Sequence, residues 1–254
     1  MNLVVLAAGK GTRLGDMTKR APKVAVRLPN DHTLLEYHVQ VLEKLRPIER
    51  MLLVCGFGVE KVEKEVARIR ADKPIHIVYN PFYGVAGPIA SVWMARSWMT
   101  EQDFLLCNGD TYYSEEAVQS LLAWPDEGVV LGVGRDGDYS GDSMNVDLQE
   151  SGRLRCVGKH VLRGDSQGVS AGLLLLRGHS SRCAFVSTVE RMLRQEAYVL
   201  PTAAWHSILN ELVQQGVCVE TTRLEASDWH EVDTMDDVHH LDDKLRRKHP
   251  MDTR

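Results

Sequence analysis

Three stretches of this sequence bring together residue types that do chemistry. The first is a glycine-rich segment with cations, Leu6-Ala7-Ala8-Gly9-Lys10-Gly11-Thr12-Arg13-Leu14, followed by Ala21-Pro22-Lys23. Glycines at such a place let backbone N–H groups approach phosphate oxygens with no Cβ in the way, while Lys10, Arg13 and Lys23 supply positive charge. The combination suits a triphosphate. It is not the G-x-x-x-x-G-K-[ST] loop, and it fits the dinucleotide fingerprint badly, because Leu14 stands where a third glycine belongs. Two glycines alone fit a flexible strand-to-helix turn with solvated cations equally well.

The second stretch, Phe104-Leu105-Leu106-Cys107-Asn108-Gly109-Asp110, is an apolar run that ends in a carboxylate. Mg²⁺ is usually held by one or two carboxylates plus phosphate oxygens, so Asp110 is a candidate ligand. Asn-Gly also signals a hairpin, but Ser114-Glu115-Glu116 reads as a capped helix start rather than a returning strand. The third stretch is Trp229-His230-Glu231-Val232-Asp233-Thr234. Asp233 could cap the final helix, yet Thr234 and Asp237 make a capping box one residue later and leave Asp233 for a metal. Glu231, two residues before it on the same face of a strand, is a weaker second ligand.

These residues need a scaffold that gathers them. Short apolar runs at 2–8, 51–56, 75–79, 103–107, 129–134 and 217–224 alternate with helical patterns at 34–46, 59–70, 88–99 and 114–122. That alternation predicts an α/β fold with a mostly parallel sheet covered on both faces, in which ligands collect beyond the carboxyl ends of the strands. From about 128 to 176 short strand-like pieces separated by Gly and Asp predict an antiparallel insertion or edge that walls a cleft. Helices at 179–195, 203–215 and 235–247 follow, the last ending in a basic, frayed tail after Lys244. One domain over 1–254 is expected, with a nucleotide-binding half at about 1–125 and an acceptor-binding, metal-completing half at about 126–248.

Composition narrows the function classes. A net charge of -5 lacks the basic excess of a nucleic-acid binder, and no apolar run is long enough for a membrane helix. The start, Met1-Asn2-Leu3-Val4-Val5, reads as a first strand rather than a leader, so a soluble cytoplasmic protein is expected. Five widely spaced cysteines, Cys55, Cys107, Cys156, Cys183 and Cys218, favour buried reduced thiols over disulfides or zinc. The histidines show no metal spacing; His239 and His240 belong on a solvated helix face, and His206 and His230 are at most subsidiary site residues.

The run Leu-Ala-Ala-Gly-x-Gly-Thr-Arg-Leu followed by Pro-Lys resembles the signature of the nucleotidyltransferases with a nucleotide-diphospho-sugar-transferase-like, Rossmann-like fold. The resemblance implies a three-layer α/β structure, nucleotide contacts from Leu6, Ala7, Ala8, Gly9, Lys10, Gly11, Thr12 and Arg13, and Lys23 on the reacting phosphates. It also implies a Mg²⁺ site completed by Asp110, next to Asn108 and Gly109, and by the late acidic pair, for which Asp233 is the ligand. Overall size and the ending Trp229–Asp233 are more similar to cytidylyltransferases of phosphocholine and phosphonates than to the larger sugar-1-phosphate enzymes, so CTP is the expected nucleotide.

The chain departs from those enzymes where they carry an Asn-Asn pair before a serine, since here Gly87-Pro88-Ile89-Ala90-Ser91 stands. Gly87 and Ser91 remain candidates for nucleoside contact, while Pro88 more simply starts a helix. Lys159, Ser170, Trp205 and Glu231 are assigned to a small phosphorylated or phosphonate acceptor. Trp205, Trp229 and Tyr198 could cage a quaternary ammonium, although packing explains them as readily. A homodimer is compatible with all of this. The competing expectations are a sugar-1-phosphate nucleotidyltransferase using UTP or dTTP, and a non-catalytic nucleotide-binding regulator.

Overall fold

A computed structural model describes residues 1–19, 21–134, 143–195 and 203–248. Strands β1 (Asn2–Ala7), β2 (Arg50–Cys55), β3 (Ile75–Tyr79), β4 (Phe104–Asn108), β6 (Gly128–Gly134), β9 (Gly168–Arg177) and β10 (Val219–Leu224) form the body of one sheet in the order β10-β6-β9-β4-β1-β2-β3. β1 runs parallel to both β2 and β4, with Leu6 level with Val54 on one side and Asn108 on the other. Strands β7 (Asn145–Leu148) and β8 (Leu154–Gly158) extend it through β9, and β5 (Thr111–Tyr113) pairs separately with β11 (Trp229–Glu231).

Alternation along the strands divides the core into two layers. Leu3, Val5, Leu53, Leu105, Cys107, Leu173 and Leu175 pack with helices α1 (Leu34–Lys44), α2 (Val59–Arg68), α5 (Glu115–Leu122) and, towards the chain end, α8 (Met235–Lys248). Val4, Leu52, Leu106, Leu174 and Leu176 face the opposite layer of α3 (Pro88–Met94), α4 (Arg96–Glu101), α6 (His179–Met192) and α7 (Ser207–Gln214), where Phe185 meets Phe104 edge-on at 5.8 Å. Burial on both faces is why these strands read as continuous apolar runs.

The helix starts follow the sequence signals. Thr33 and Glu36 form a reciprocal capping box on α1, Ser114 caps α5 through Ala117 N, and Pro88 occupies the first turn of α3.

Five expectations are corrected. The stretch 128–176 supplies the expected antiparallel strands and a wall of the cleft, but it is not confined to an edge: β6 and β9 lie inside the sheet, and β9, antiparallel to β4 and β6, is buried along nearly its whole length. Only β7 and β8 project from it. The pattern at 88–99 is two helices broken at Ala95, and that at 203–215 begins only at Ser207. The last described turn, 244–248, is held rather than frayed: Lys248 binds Glu116 at 2.8 Å, and Lys244 donates to the carbonyls of Ala226 and Trp229, while the rest of the basic tail lies outside the described residues. All five cysteines are free, but only Cys55 and Cys107 are buried; Cys218 is exposed. Among the described residues no helix is long and apolar enough to cross a membrane.

Candidate active site

β1 and β4 are neighbours pointing the same way, so the segments that leave their carboxyl ends emerge side by side. Gly109 N donates to Leu6 O at 2.9 Å, and a Cβ on Gly109 would lie 2.8 Å from that oxygen and 3.0 Å from Ala7 Cβ. Only glycine lets the two chains close here, and that closure fixes where Asp110 begins. The loop after β1 then turns through Gly11, in left-handed backbone with φ 61°, into a 3-10 turn at Thr12–Thr18 that buried Leu14 anchors. Thr18 Oγ1 ties the turn back to Gly11 O at 2.7 Å. A second short 3-10 turn, Lys23–Ala25, is anchored by buried Val24 and presents Lys23 to the same rim.

The late acidic pair arrives through the β5–β11 ladder. Glu231 stands opposite Thr111, and Val232 N donates to Asp110 O at 2.8 Å, so residues 120 and 122 positions apart in sequence are backbone neighbours. Asp237 Oδ2 accepts from the backbone N–H groups of Asp233 and Thr234, while Thr234 Oγ1 accepts from Asp237 N. Thr234 caps α8, and the side chain of Asp233 is left for the site.

Among the described residues, Asp110, Glu231 and Asp233 form the one group able to hold a metal, with ligand oxygens all within 4.8 Å of one another. An all-oxygen donor set of this kind suits a hard divalent cation such as Mg²⁺ and disfavours softer metals. Lys23 Nζ lies 2.9 Å from Asp110 Oδ2 and also binds Asp233 Oδ1, while Arg13 Nη2 is 2.7 Å from Asp233 Oδ2. Burial alone would lower the Lys23 ammonium's pKa, but Asp110 and Asp233 outweigh it and hold it above the usual lysine value, so the group stays charged. Burial, then the like charges of Asp110 and Asp233, push Glu231 up to about 8. Its side chain is nevertheless exposed towards the cleft, so solvent tempers the first cause and the crowding of carboxylates is the cause that persists.

Two adjoining recesses open on this rim. The smaller, ≈ 220 Å³, is walled by Ala7, Gly9, Gly11, Thr12, Arg13, Lys23, Gly109 and Asp110. The larger, ≈ 350 Å³, takes in Leu6, Ala8, Gly87, Ser91, Asn108, Lys159, Ser170, Trp205 and Glu231. The structure thus places every nucleotide and acceptor candidate around one cleft except Lys10, which is exposed and lines neither recess. Of the three aromatic cage candidates only Trp205 lines the cleft; Trp229 packs against Gly134, and Tyr198 lies outside the described residues.

Tyr83, Met144 and His206 also line the larger recess. Sequence reasoning passed over Tyr83 and Met144, and the available signal was weak: the missing Cβ of Gly56, which gives Tyr83 room to pack over the strand end. Ser91 accepts from Asn80 Nδ2 at 3.0 Å, which fixes its hydroxyl. On the acceptor wall Trp205 Nε1 donates to Asn108 Oδ1 at 2.9 Å and stacks on His206 at 4.0 Å, and His206 Nε2 is 2.9 Å from Ser170 Oγ.

His206 has a counterpart in His38 on the other layer, against Cys107. Burial pushes His206 down to about 3 and His38 down to about 4, so the native protein refuses protons that the unfolded chain accepts below about 6.5. Stability is therefore complete above that pH and falls as pH drops towards 4, with a limiting slope of about 1.4 kcal/mol per pH unit for each histidine. Denaturant melts between pH 8 and 4.5 are expected to show this loss, and His38→Gln with His206→Gln to flatten it. An unchanged slope in the double variant would contradict the assignment.

Over 170 residues, 65% of its length, the chain is 31% identical to the CMP-5'-(3-aminopropyl)phosphonate synthase of Streptomyces rubellomurinus. It is 27% identical over 159 residues, 62% of the chain, to the 2-aminoethylphosphonate cytidylyltransferase of Lancefieldella rimae. The matched stretch spans 23% of the first relative and 61% of the second, so the chain covers less than two thirds of either. The solved inositol-1-phosphate CTP transferase from T. maritima superposes with a TM-score of 0.77 at 22% identity, over 96% of each chain, which shows a shared fold. Residues 3–160 of the 254, from inside β1 to just past β8, match the MobA-like NTP transferase domain, and by that match the chain belongs to this family.

Proposed function

We propose that the protein transfers a nucleotidyl group, CMP in preference, from a nucleoside triphosphate to a small phosphorylated or phosphonate acceptor and releases pyrophosphate. The observation that carries this reading is the convergence of the phosphate-type loop 9–13, Lys23 and three carboxylates at one rim of the sheet. The preference for CTP and for a phosphonate-type acceptor is supported by the names of the two curated relatives, both of which describe phosphonate cytidylyl chemistry. We take the chain as one functional unit, with residues 1–125 contributing most of the nucleotide side and 126–248 the acceptor wall and Asp233.

The chemistry asks little of the protein beyond positioning. A phosphate monoester carries most of its second negative charge near neutral pH, its second pKa being about 6, so the attacking oxygen needs no general base. The backbone of Gly9–Arg13 cradles the triphosphate, and Lys23 and Arg13 oppose the charge that builds on the phosphate oxygens during in-line displacement. Lys159 and Ser170 on the far wall orient the acceptor, with Trp205 holding Asn108 in place beneath the nucleotide. Asp110 and Asp233, with Glu231 beside them, would hold Mg²⁺, which supplies charge neutralisation to the phosphates.

The test is pyrophosphate release by the full chain with each of four NTPs against phosphocholine, 2-aminoethylphosphonate, 2-hydroxyethylphosphonate and hexose 1-phosphates. Turnover with CTP and a phosphonate or phosphoalcohol is expected, abolished by chelator and restored by Mg²⁺. Turnover confined to UTP or dTTP with a hexose 1-phosphate would replace the CTP reading with the sugar-nucleotide one. Nucleotide binding with no pyrophosphate release from any pair would favour a non-catalytic regulator.

A further inference from the structure

Two of the three carboxylates, Asp110 and Asp233, already hold a cation, and that cation belongs to the chain. Lys23 Nζ donates to Asp110 Oδ2 at 2.9 Å and to Asp233 Oδ1, bridging two of the three carboxylates whose ligand oxygens converge within 4.8 Å. Its side chain is only 11% exposed, so it is built into the site and not draped over it. Arg13, 49% exposed, approaches Asp233 from the other oxygen.

We propose that Lys23 is a placeholder: without nucleotide it sits between Asp110 and Asp233 where a divalent cation would sit, and it must leave before that cation and a triphosphate are held together. The inference rests on the reading of Asp110 and Asp233 as metal ligands and adds a rule about when they are available. A dication draws carboxylate oxygens to about 2.0–2.1 Å, whereas an ammonium holds them at about 2.7–2.9 Å. Both cannot occupy the gap between these carboxylates, because a dication and an ammonium a few ångströms apart repel about as strongly as the dication attracts a carboxylate.

The route out is also visible. A Cβ on Gly11 would meet Lys23 Cγ at 2.6 Å, so the stem of Lys23 lies against the phosphate loop itself, and Lys23, Gly11 and Arg13 wall the same recess. Asp110 walls that recess too, so the ammonium would have only to swing from the carboxylates to triphosphate oxygens bound within it. One charge thus serves two anionic partners in turn. It holds the crowded carboxylates together in the empty protein, and it makes cation and nucleotide load together, since nucleotide draws Lys23 off the seat the cation needs.

The experiment measures Mn²⁺ binding by paramagnetic resonance to the full chain without nucleotide, in wild type, Lys23→Met and Arg13→Met. Lys23→Met is expected to bind Mn²⁺ about 10-fold tighter than wild type, within the usual range for two mutually exclusive ligands, and Arg13→Met is expected to gain distinctly less. Should Lys23→Met lose its fold without metal, Mn²⁺ is expected to restore its melting transition at a lower concentration than raises that of wild type. Mn²⁺ binding that is unchanged or weaker in Lys23→Met overturns the placeholder alone, as does an equal gain in Arg13→Met, which would reflect only the general field. No Mn²⁺ binding to any of the three proteins overturns the metal reading and the placeholder with it.

Discussion

Asp110→Asn is expected to lower turnover by at least about 100-fold, the cost of removing one preorganised charge-stabilising group from a reaction centre. Asparagine keeps the size of the side chain and its ability to accept a hydrogen bond from Lys23, so the change is one of charge. Asp110 is partly exposed at the rim of the cleft and its neighbours are anchored by β4 and the β5–β11 ladder. The melting temperature should therefore move by no more than a few degrees, roughly the effect of a pair worth about 1 kcal/mol. Lys23→Ala, on the same ion pair, is expected to cost turnover as much. Pyrophosphate release at saturating substrates beside a melting curve separates the two effects. Near-normal rates in both variants would remove the proposed roles of both residues.

Gly109→Ala should be nearly as damaging by a different route. The added methyl meets the backbone of β1 at 2.8 Å and Ala7 Cβ at 3.0 Å, neither of which is a flexible side-chain end, so β4 must shift where Asp110 follows it. Overpacking of this kind costs about 1–3 kcal/mol of stability, and a displacement near 1 Å at a reacting centre costs about 100-fold in rate. Gly9→Ala provides the contrast, because a Cβ there meets nothing within 4 Å. It is expected to leave the melting temperature unchanged and to raise the KM for the nucleotide, since the added methyl would occupy space a phosphate needs. Equal melting temperatures and equal rates in Gly109→Ala and wild type would mean that the β1–β4 closure does not position Asp110.

What the sequence by itself determined is what local physics controls. Apolar runs such as Leu3–Leu6 and Phe104–Cys107 are strands because burial on both faces leaves no polar position, and their ends are within two residues of expectation. The Thr33–Glu36 box, the Ser114 cap, Pro88 in a first turn and the Thr234–Asp237 box are likewise local, each made of groups three residues apart or fewer. The family signature from Leu6 to Lys23 was legible for the same reason.

Only the tertiary structure decided what joins distant segments. The sequence could nominate Asp110 and Glu231, but their meeting depends on the β5–β11 ladder, whose two strands of three residues each are too short to carry a readable pattern. It could not place β9 in the middle of the sheet, since an apolar strand reads alike at any interior position and in either direction. Nor could it show Lys23 lodged between two aspartates or Lys10 turned to solvent, because loop side chains take their direction from the 3-10 turns and buried Leu14 and Val24 beneath them. Residue types announced the chemistry; a fixed sheet register and one close glycine contact gave it a place.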